Sequence, residues 1–236
     1  MNKQSNLYTI LYIVVLVVVV GAALAITSLS LKPQQTDNSN ADKMRQIMAS
    51  VHVTSETADV KSTFEQYITG QFIVSADGAA TQSDAFDIDM AKEMKLPVAE
   101  RRMPLYVCTL PETGKKYIIP LSGNGLWGPI WGYISVDENG STIYGAYFAH
   151  QGETPGLGAE IEKPAFSSQF EGKNLFKDNR YLPVSVLKAG TKPQAGEDYV
   201  DAISGGTITS KGVESMIADC IKGYEKFLES VKSTNK

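Results

Sequence analysis

The amino-acid sequence predicts an α+β protein in which a single N-terminal transmembrane helix precedes an antiparallel sheet packed with helices. Three observations support this prediction. An uncharged apolar stretch lies near the N-terminus at residues 7–31. Two strand–turn–strand patterns occupy the middle of the chain. A helical pattern of apolar residues fills the last part of the chain.

The N-terminal apolar stretch is long enough to cross a bilayer. A spanning helix needs roughly 20 apolar residues, and the run from Leu7 to Leu31 contains no charged residue. A cleaved signal peptide is the alternative, because Lys3 precedes the run and Ala23-Leu24-Ala25 resembles a cleavage site. Signal peptides have apolar regions of about 7–15 residues, so we favour an uncleaved anchor. Lysines and arginines lie on both sides of the run, and they do not determine its orientation.

Four segments are predicted from the changes in pattern. Residues 1–31 are the anchor, residues 32–40 a polar linker, residues 41–100 a mainly helical part, and residues 101–236 the sheet and the last helix. Ser39 or Asn40 is the candidate cap of the helix that follows the linker. A second helix is expected within residues 55–68, a strand at 71–75, and a loop with some helix at 77–95.

The sheet is predicted from two hairpins and one further strand, with helices on one side. The hairpin strands are residues 105–110, 116–120, 131–136 and 142–148, and the further strand is 183–187. One amphipathic helix should close the chain. Its apolar face is Val213, Met216, Ile217, Cys220, Ile221, Tyr224, Phe227, Leu228 and Val231.

Composition excludes several classes of function. The chain of 236 residues is mildly acidic, with a formal net charge of −4, which argues against a nucleic-acid partner. Its 2 cysteines, Cys108 and Cys220, form no CxxC or metal-binding spacing and are interpreted as separate core residues. No strand is followed by GxGxxG, so the chain has no NADH-binding fingerprint, and no cysteine cluster suits an iron–sulfur centre.

The most informative segment is Asp201-Ala202-Ile203-Ser204-Gly205-Gly206-Thr207-Ile208-Thr209-Ser210, just before the last helix. Glycines allow a tight turn and a close approach to a ligand. The free N–H groups of a helix N-terminus attract anions, above all phosphate. A phosphate site is therefore one interpretation, and a polar helix cap is the other. Thr207 is not assigned as a catalytic residue, because an unactivated threonine is a poor nucleophile.

This segment resembles the flavinylation motif Asp-x-x-Ser-Gly-Ala-Thr-x-Thr-Ser, with Gly206 in place of the alanine. The segment from His150 to Gly158 resembles the loop that lies along the flavin in the same family, and the segment from Gly125 to Tyr133 resembles the stretch before it. The chain thereby resembles the C subunits of sodium-pumping NADH:quinone reductases, which are FMN-binding-domain proteins. The resemblance runs from about Met1 to the last helix.

The resemblance implies a covalent cofactor. A flavin transferase would join the phosphate of FMN to the Thr207 hydroxyl as a phosphoester. The phosphate would be held by the hydroxyls of Ser204 and Thr209 and by the turn at Gly205 and Gly206, with Lys211 either offsetting its charge or simply solvated. Trp127 and Leu157 would cover the flavin ring, and Glu153, Thr154 and Gly158 would contact it. Ordinary packing is the alternative for Trp127, and turn geometry is the alternative for the glycines.

The resemblance also implies the function and the partners. The chain would be an electron-transfer subunit of a membrane-bound, sodium-pumping oxidoreductase, with no complete site for NADH or quinone of its own. Its partners would be the other subunits, the flavin transferase and membrane lipid. The large domain would lie on the outer side of the cytoplasmic membrane. The alternatives are the G subunit of the related Rnf electron-transport complex and an anchored scaffold protein without a redox role.

Overall fold

The computed structural model describes residues 6–56, 59–178, 180–193 and 196–234. The chain divides into two compact units, residues 1–43 and 44–236. In the first unit the described residues are helical and belong to α1, Asn6–Ala49, which has Pro33 in its interior. By length and composition α1 is able to cross a membrane.

The predicted linker at 32–40 is helical in the structure, and no helix begins at Ser39 or Asn40. The sequence favours a linker here because the segment is polar and lacks large apolar residues. Apart from Pro33, its residue types are compatible with a helix, and the Thr36 hydroxyl donates to the Lys32 carbonyl (3.0 Å).

The second unit contains a six-stranded antiparallel sheet with the strand order β2-β1-β3-β4-β5-β6. Its strands are β1 Ile68–Val74, β2 Ala80–Gln82, β3 Met103–Leu110, β4 Gly114–Asn124, β5 Pro129–Asp137 and β6 Ile143–His150. Both predicted hairpins are confirmed, as β3–β4 and β5–β6. Two smaller pairs are formed by β7 Phe176–Lys177 with β8 Arg180–Tyr181, and by β9 Ser185–Leu187 with β10 Tyr199–Asp201.

Helical segments cover both faces of the sheet, whereas the sequence predicted helices on one side. Among the described residues, the remaining α-helices are α2 Val60–Tyr67, α3 Met90–Glu93, α4 Pro164–Ser167, α5 Thr207–Lys222 and α6 Glu225–Thr234. The core between the sheet and α5–α6 includes Ile119, Ile134 and Ile217, all fully buried. On the other face the end of α1 approaches β5, because the Trp131 indole donates to Gln46 (3.0 Å) and the Ser135 hydroxyl to the Ser50 carbonyl (2.5 Å).

The predicted last helix is two helices in the structure. α5 ends at Lys222 and α6 begins at Glu225. Gly223 is the C-cap of α5, and its N–H donates to the carbonyls of Cys220 and Ile221. Both helices bury apolar residues against the same core, which is why the helical periodicity in the sequence continued across the break.

The two cysteines are free and buried, as the sequence indicated. Burial raises the pKa of each thiol to about 11. The Sγ atom of Cys220 lies 3.4 Å from both the N–H and the carbonyl of Ser122, within the contact between α5 and β4. Both residues therefore act as small core side chains.

Candidate flavin site

Three segments of the chain meet at one edge of the sheet. They are the loop between β4 and β5, the loop after β6, and the start of α5. The sheet register brings the first two together, because Asn124 pairs with Pro129 where β4 ends and Ile130 pairs with His150 where β6 ends. The contact of α5 with β4 adds the third: a side chain at Gly212 would collide with the carbonyl of Asn124.

Glu153 lies buried at the junction of these three segments. Its side chain accepts hydrogen bonds from the Trp127 backbone N–H at Oε1 (2.8 Å) and from the Thr209 hydroxyl at Oε2 (2.6 Å). Its own backbone N–H donates to His150 Nδ1 (3.1 Å). A buried carboxylate is costly unless it is hydrogen-bonded, and here both oxygens have partners. Glu153 therefore holds the three segments together.

Two glycines make room for this carboxylate. A Cβ atom at Gly125 would lie 2.5 Å from Glu153 Oε1. A Cβ atom at Gly158 would lie 2.6 Å from Thr209 Oγ1 and closer still to Glu153 Oε2. Gly158 is itself buried, so the structure places it against Glu153 and Thr209. The importance of Gly125 was not foreseen, because a carboxylate so distant in sequence leaves no local signal.

The turn before α5 is stabilised by residues of the segment from Asp201 to Ser210 itself. Gly205 has a φ of +74°, a conformation that favours glycine, and Gly206 is the N-cap of α5. The Ser210 hydroxyl accepts from the backbone N–H of Ile203 (3.1 Å) and is buried. Ser210 thus stabilises the turn, a role that the sequence analysis did not assign.

The other three hydroxyls of the motif segment differ in exposure. Thr207, the first residue of α5, is exposed, and so is Ser204. Thr209 is 1% exposed and donates to Glu153, so its hydroxyl has a protein partner where we expected it to bind phosphate. Within the described residues, no side chain caps the first turn of α5. Its N–H groups and partial positive charge are therefore directed at the surface beside Thr207.

Lys211 is already paired. Its ammonium group contacts both carboxylate oxygens of Glu214, at 2.8 and 3.0 Å, and Glu214 Oε2 also accepts from the Val186 N–H. These contacts link the second turn of α5 to β9. Any positive potential for an anion at Thr207 thus comes chiefly from the helix start.

Large apolar side chains are exposed around the site. Trp127 is 69% exposed and Leu157 is 41% exposed, as expected for residues that could cover a flat ligand. Leu126 and Ile208 are also exposed, and neither was singled out from the sequence. Leu157 packs close to the turn, since a Cβ atom at Gly205 would lie 2.6 Å from its Cδ2 atom. These four side chains and the Thr207 hydroxyl are called the Thr207 surface below.

The loop after β6 is fixed by backbone bonds. The Thr154 carbonyl accepts from the N–H groups of Leu157 and Ala159, both at 3.1 Å, while its side chain is exposed. Gly156 has a φ of +75° and open space where a side chain would be. The loop is thus rigid at its base and open toward solvent.

This arrangement fits a flavin phosphoester. It combines an exposed hydroxyl at a helix start without a side-chain cap, exposed aromatic and aliphatic side chains, and a loop with unfilled space. Phosphate suits the first of these features, and a flat, largely apolar ring suits the others.

Comparison with known proteins identifies relatives that match almost the whole chain. Residues 125–222 match the model of the FMN-binding domain. A protein from Vibrio anguillarum, named as the C subunit of a Na(+)-translocating NADH-quinone reductase, is 32% identical, and the match covers 98% of this chain and 97% of that protein. A protein of the same name from Pseudomonas aeruginosa is 31% identical, with 98% of each chain covered.

A solved structure agrees with the fold. The crystal structure of the Na(+)-translocating NADH-quinone reductase C subunit from Parabacteroides distasonis superimposes with a TM-score of 0.78 at 46% identity. The match covers 84% of this chain and 96% of that one. The arrangement of sheet and helices described above is therefore shared with that protein.

Proposed function

The chain belongs to the family of C subunits of the Na(+)-translocating NADH-quinone reductases, and from this premise we propose that it transfers electrons through an FMN attached to Thr207. It would act within a membrane-bound oxidoreductase that couples NADH oxidation and quinone reduction to sodium transport. The names of the relatives favour this assignment over the G subunit of an Rnf complex.

The observation that carries the proposal is the environment of Thr207. Its side chain is exposed at the first position of a 16-residue helix whose start lacks a side-chain cap within the described residues. A phosphodiester on this hydroxyl would lie next to free backbone N–H groups. Ser204 is exposed in the same turn and remains a candidate to donate to a phosphate oxygen.

The attachment step balances as a phosphoryl transfer. The Thr207 hydroxyl loses its proton, an Oγ–P bond forms to the FMN phosphorus, and the bond from that phosphorus to its leaving group breaks. The donor has to be an activated flavin phosphate such as a phosphoanhydride, because water is a poor leaving group. A separate flavin transferase would supply the base, since no histidine lies near Thr207 in the sequence.

The chain's own residues would bind and orient the cofactor. Trp127 and Leu157 offer apolar cover, and the loop from Glu153 to Gly158 offers backbone groups at the rim. When bound, FMN supplies the ability to accept and release electrons. Reactions at NADH and at quinone would belong to other subunits of the complex.

The first helix would anchor the protein in the cytoplasmic membrane. α1 is able to cross a bilayer by its length and composition. We propose that residues 44–236 lie on the extracytoplasmic side, as the family resemblance implies, and that lipid surrounds the apolar part of α1.

The attachment is tested by mass spectrometry of the peptide spanning residues 201–211 from protein isolated from its native membrane. An added mass equal to FMN less water, located on Thr207, is expected. The substitution Thr207→Ala should remove all flavin fluorescence from the denatured protein band, because no acceptor hydroxyl remains, while leaving the circular dichroism spectrum unchanged.

Thr113→Ala is the matched control, since Thr113 is also exposed but lies in the turn between β3 and β4. It should retain full flavin fluorescence. Unmodified peptide from native membranes, or a fluorescent Thr207→Ala band, contradicts the proposal.

A further inference from the structure

We propose that Glu153 is a positioning residue: its buried carboxylate fixes Trp127 against the flavin carried by Thr207. This inference rests on the proposed function and deepens it. Our expectation from the sequence was that Glu153 contacts the flavin itself. The structure gives its carboxylate a different set of partners.

Both carboxylate oxygens are bound to protein donors. Oε1 accepts from the Trp127 N–H and Oε2 from the Thr209 hydroxyl, and Glu153 as a whole is 5% exposed. Hydrogen bonds to a charged acceptor are stronger than neutral ones, so each donor is held firmly. A carboxylate oriented in this way acts on a ligand through the groups that it holds.

One donor, Thr209, belongs to the helix that would carry the flavin, and the other, Trp127, belongs to the loop that would cover its ring. Thr209 lies two residues after Thr207 in the first turn of α5, so its position fixes the attachment point. Trp127 has a fixed backbone and a side chain that is 69% exposed. One side chain therefore sets the backbone position of Trp127, and with it the point from which the indole projects, relative to the attachment point.

The surroundings of Glu153 leave it little freedom. Its backbone N–H donates to His150 Nδ1, and that ring is itself 3.7 Å from Glu162 Oε1. The carboxylate fills the space beside Gly125 and Gly158, where a Cβ atom on either residue would overlap it. The β4–β5 loop closes on itself through the Gly125 N–H and Gly128 carbonyl (2.8 Å), so movement of Trp127 N would move the whole loop.

The test measures flavin fluorescence, because an indole in contact with an excited flavin quenches it by electron donation. The full-length flavinylated protein is compared with Glu153→Ala, Thr209→Val, Trp127→Phe and the double variant Glu153→Ala/Trp127→Phe. Emission is normalised to the covalent flavin in each denatured band. We expect Glu153→Ala to raise the normalised emission as much as Trp127→Phe does, and the double variant to show no further rise.

Controls separate positioning from loss of stability. Glu112→Ala, at an exposed site in the β3–β4 turn, should leave the emission unchanged. Should Glu153→Ala fail to fold, Glu153→Gln and Thr209→Val carry the same test, since each weakens one part of the network. Variants that melt earlier but keep wild-type emission would mean a purely structural role.

Other outcomes would also overturn the inference. Unchanged emission in Trp127→Phe means that Trp127 does not cover the ring. A further rise on adding Glu153→Ala to Trp127→Phe means that Glu153 acts on the flavin independently of Trp127. If the denatured wild-type protein gives no fluorescent band, the proposed function is contradicted. That result differs from a failure of the positioning role, in which the band is present and the normalised emission does not change.

Discussion

Two buried charges lie at opposite ends of the paired strands β4 and β5. Lys116 lies at one end, in register with Asp137, and its ammonium group contacts Asp137 Oδ1 (3.0 Å) and the Thr113 carbonyl. It also lies 4.6 Å from the centre of the Tyr144 ring. Glu153 lies at the other end, bonded to Trp127 and Thr209.

Both charges are satisfied, but their surroundings differ. Lys116 joins the end of β5, at Asp137, to the β3–β4 turn, at Thr113, and lies over the ring of Tyr144. The partners of Glu153 lead directly to the Thr207 surface, with its exposed hydroxyl and exposed apolar side chains. A buried, well-bonded charge is thus no sign of function by itself, since structural networks contain them too. The function is indicated by what the network presents to solvent.

Replacing the charge at the structural end gives the largest expected loss of stability. Lys116→Met should lower the free energy of unfolding by about 2–3 kcal/mol, because Asp137 and the Thr113 carbonyl lose their cation. The loss is limited because the Asp137 side chain is 30% exposed and can be hydrated. Urea unfolding measures it. Flavin content and emission should equal those of wild type. A change in either would mean that the Lys116 contacts also affect the Thr207 surface, and that the two networks do not have separate roles.

Two glycine substitutions in the loop after β6 test how tightly Glu153 is enclosed. Gly158→Ala should cost about 1–3 kcal/mol, since the added carbon would overlap Glu153 and Thr209. Gly152→Ala in the same loop meets nothing within 4 Å and should have little effect. Thermal melting of the two variants tests this difference. Equal melting temperatures would show that the carboxylate is not tightly enclosed.

At neutral pH the smallest effect is expected from the two thiols, because they influence stability only at high pH. Burial raises the pKa of Cys108 and Cys220 to about 11 from an unfolded value near 9. The unfolded chain therefore loses these protons first, so stability is unaffected below pH 9 and falls as the pH rises from 9 toward 11. The buried tyrosines, whose pKa values are also raised, add to this fall.

Urea midpoints between pH 8 and pH 11 measure that dependence. Lys116 opposes the effect of burial on Cys108, so Lys116→Met should steepen the fall, whereas Gly158→Ala should not. A midpoint that is flat up to pH 11 would contradict the burial of the thiols.

The sequence predicted the central part of the fold well because its signals there are local. Both hairpins combine alternating strands with compact turns, and their register follows from the turn. The helix start predicted at Ser39 or Asn40 and the unbroken last helix were wrong for a shared reason: local composition does not show whether a helix continues. Pro33 did not end α1, whereas α5 ended at Lys222 although the apolar periodicity continued into α6.

The site was predictable only in part. Motif resemblance identified the segments that meet at the Thr207 surface, and the structure brings them to one edge of the sheet. It could not show that Thr209 is buried against Glu153, or that Lys211 is paired with Glu214. Such pairings join residues whose proximity depends on the completed fold, and sequence spacing does not encode them. The roles of the individual residues toward a flavin remain predictions.

The location of Thr207 in the first turn of a packed helix limits what an attached group can do. A β-branched residue in a helix has few χ1 choices, so a tether that begins there has little freedom at its first bond. The far end of the tether would sample a small volume. The effective concentration of the attached ring at Trp127 and Leu157 would be on the order of millimolar or above, as for short linkers. Diluting the protein would leave that occupancy unchanged.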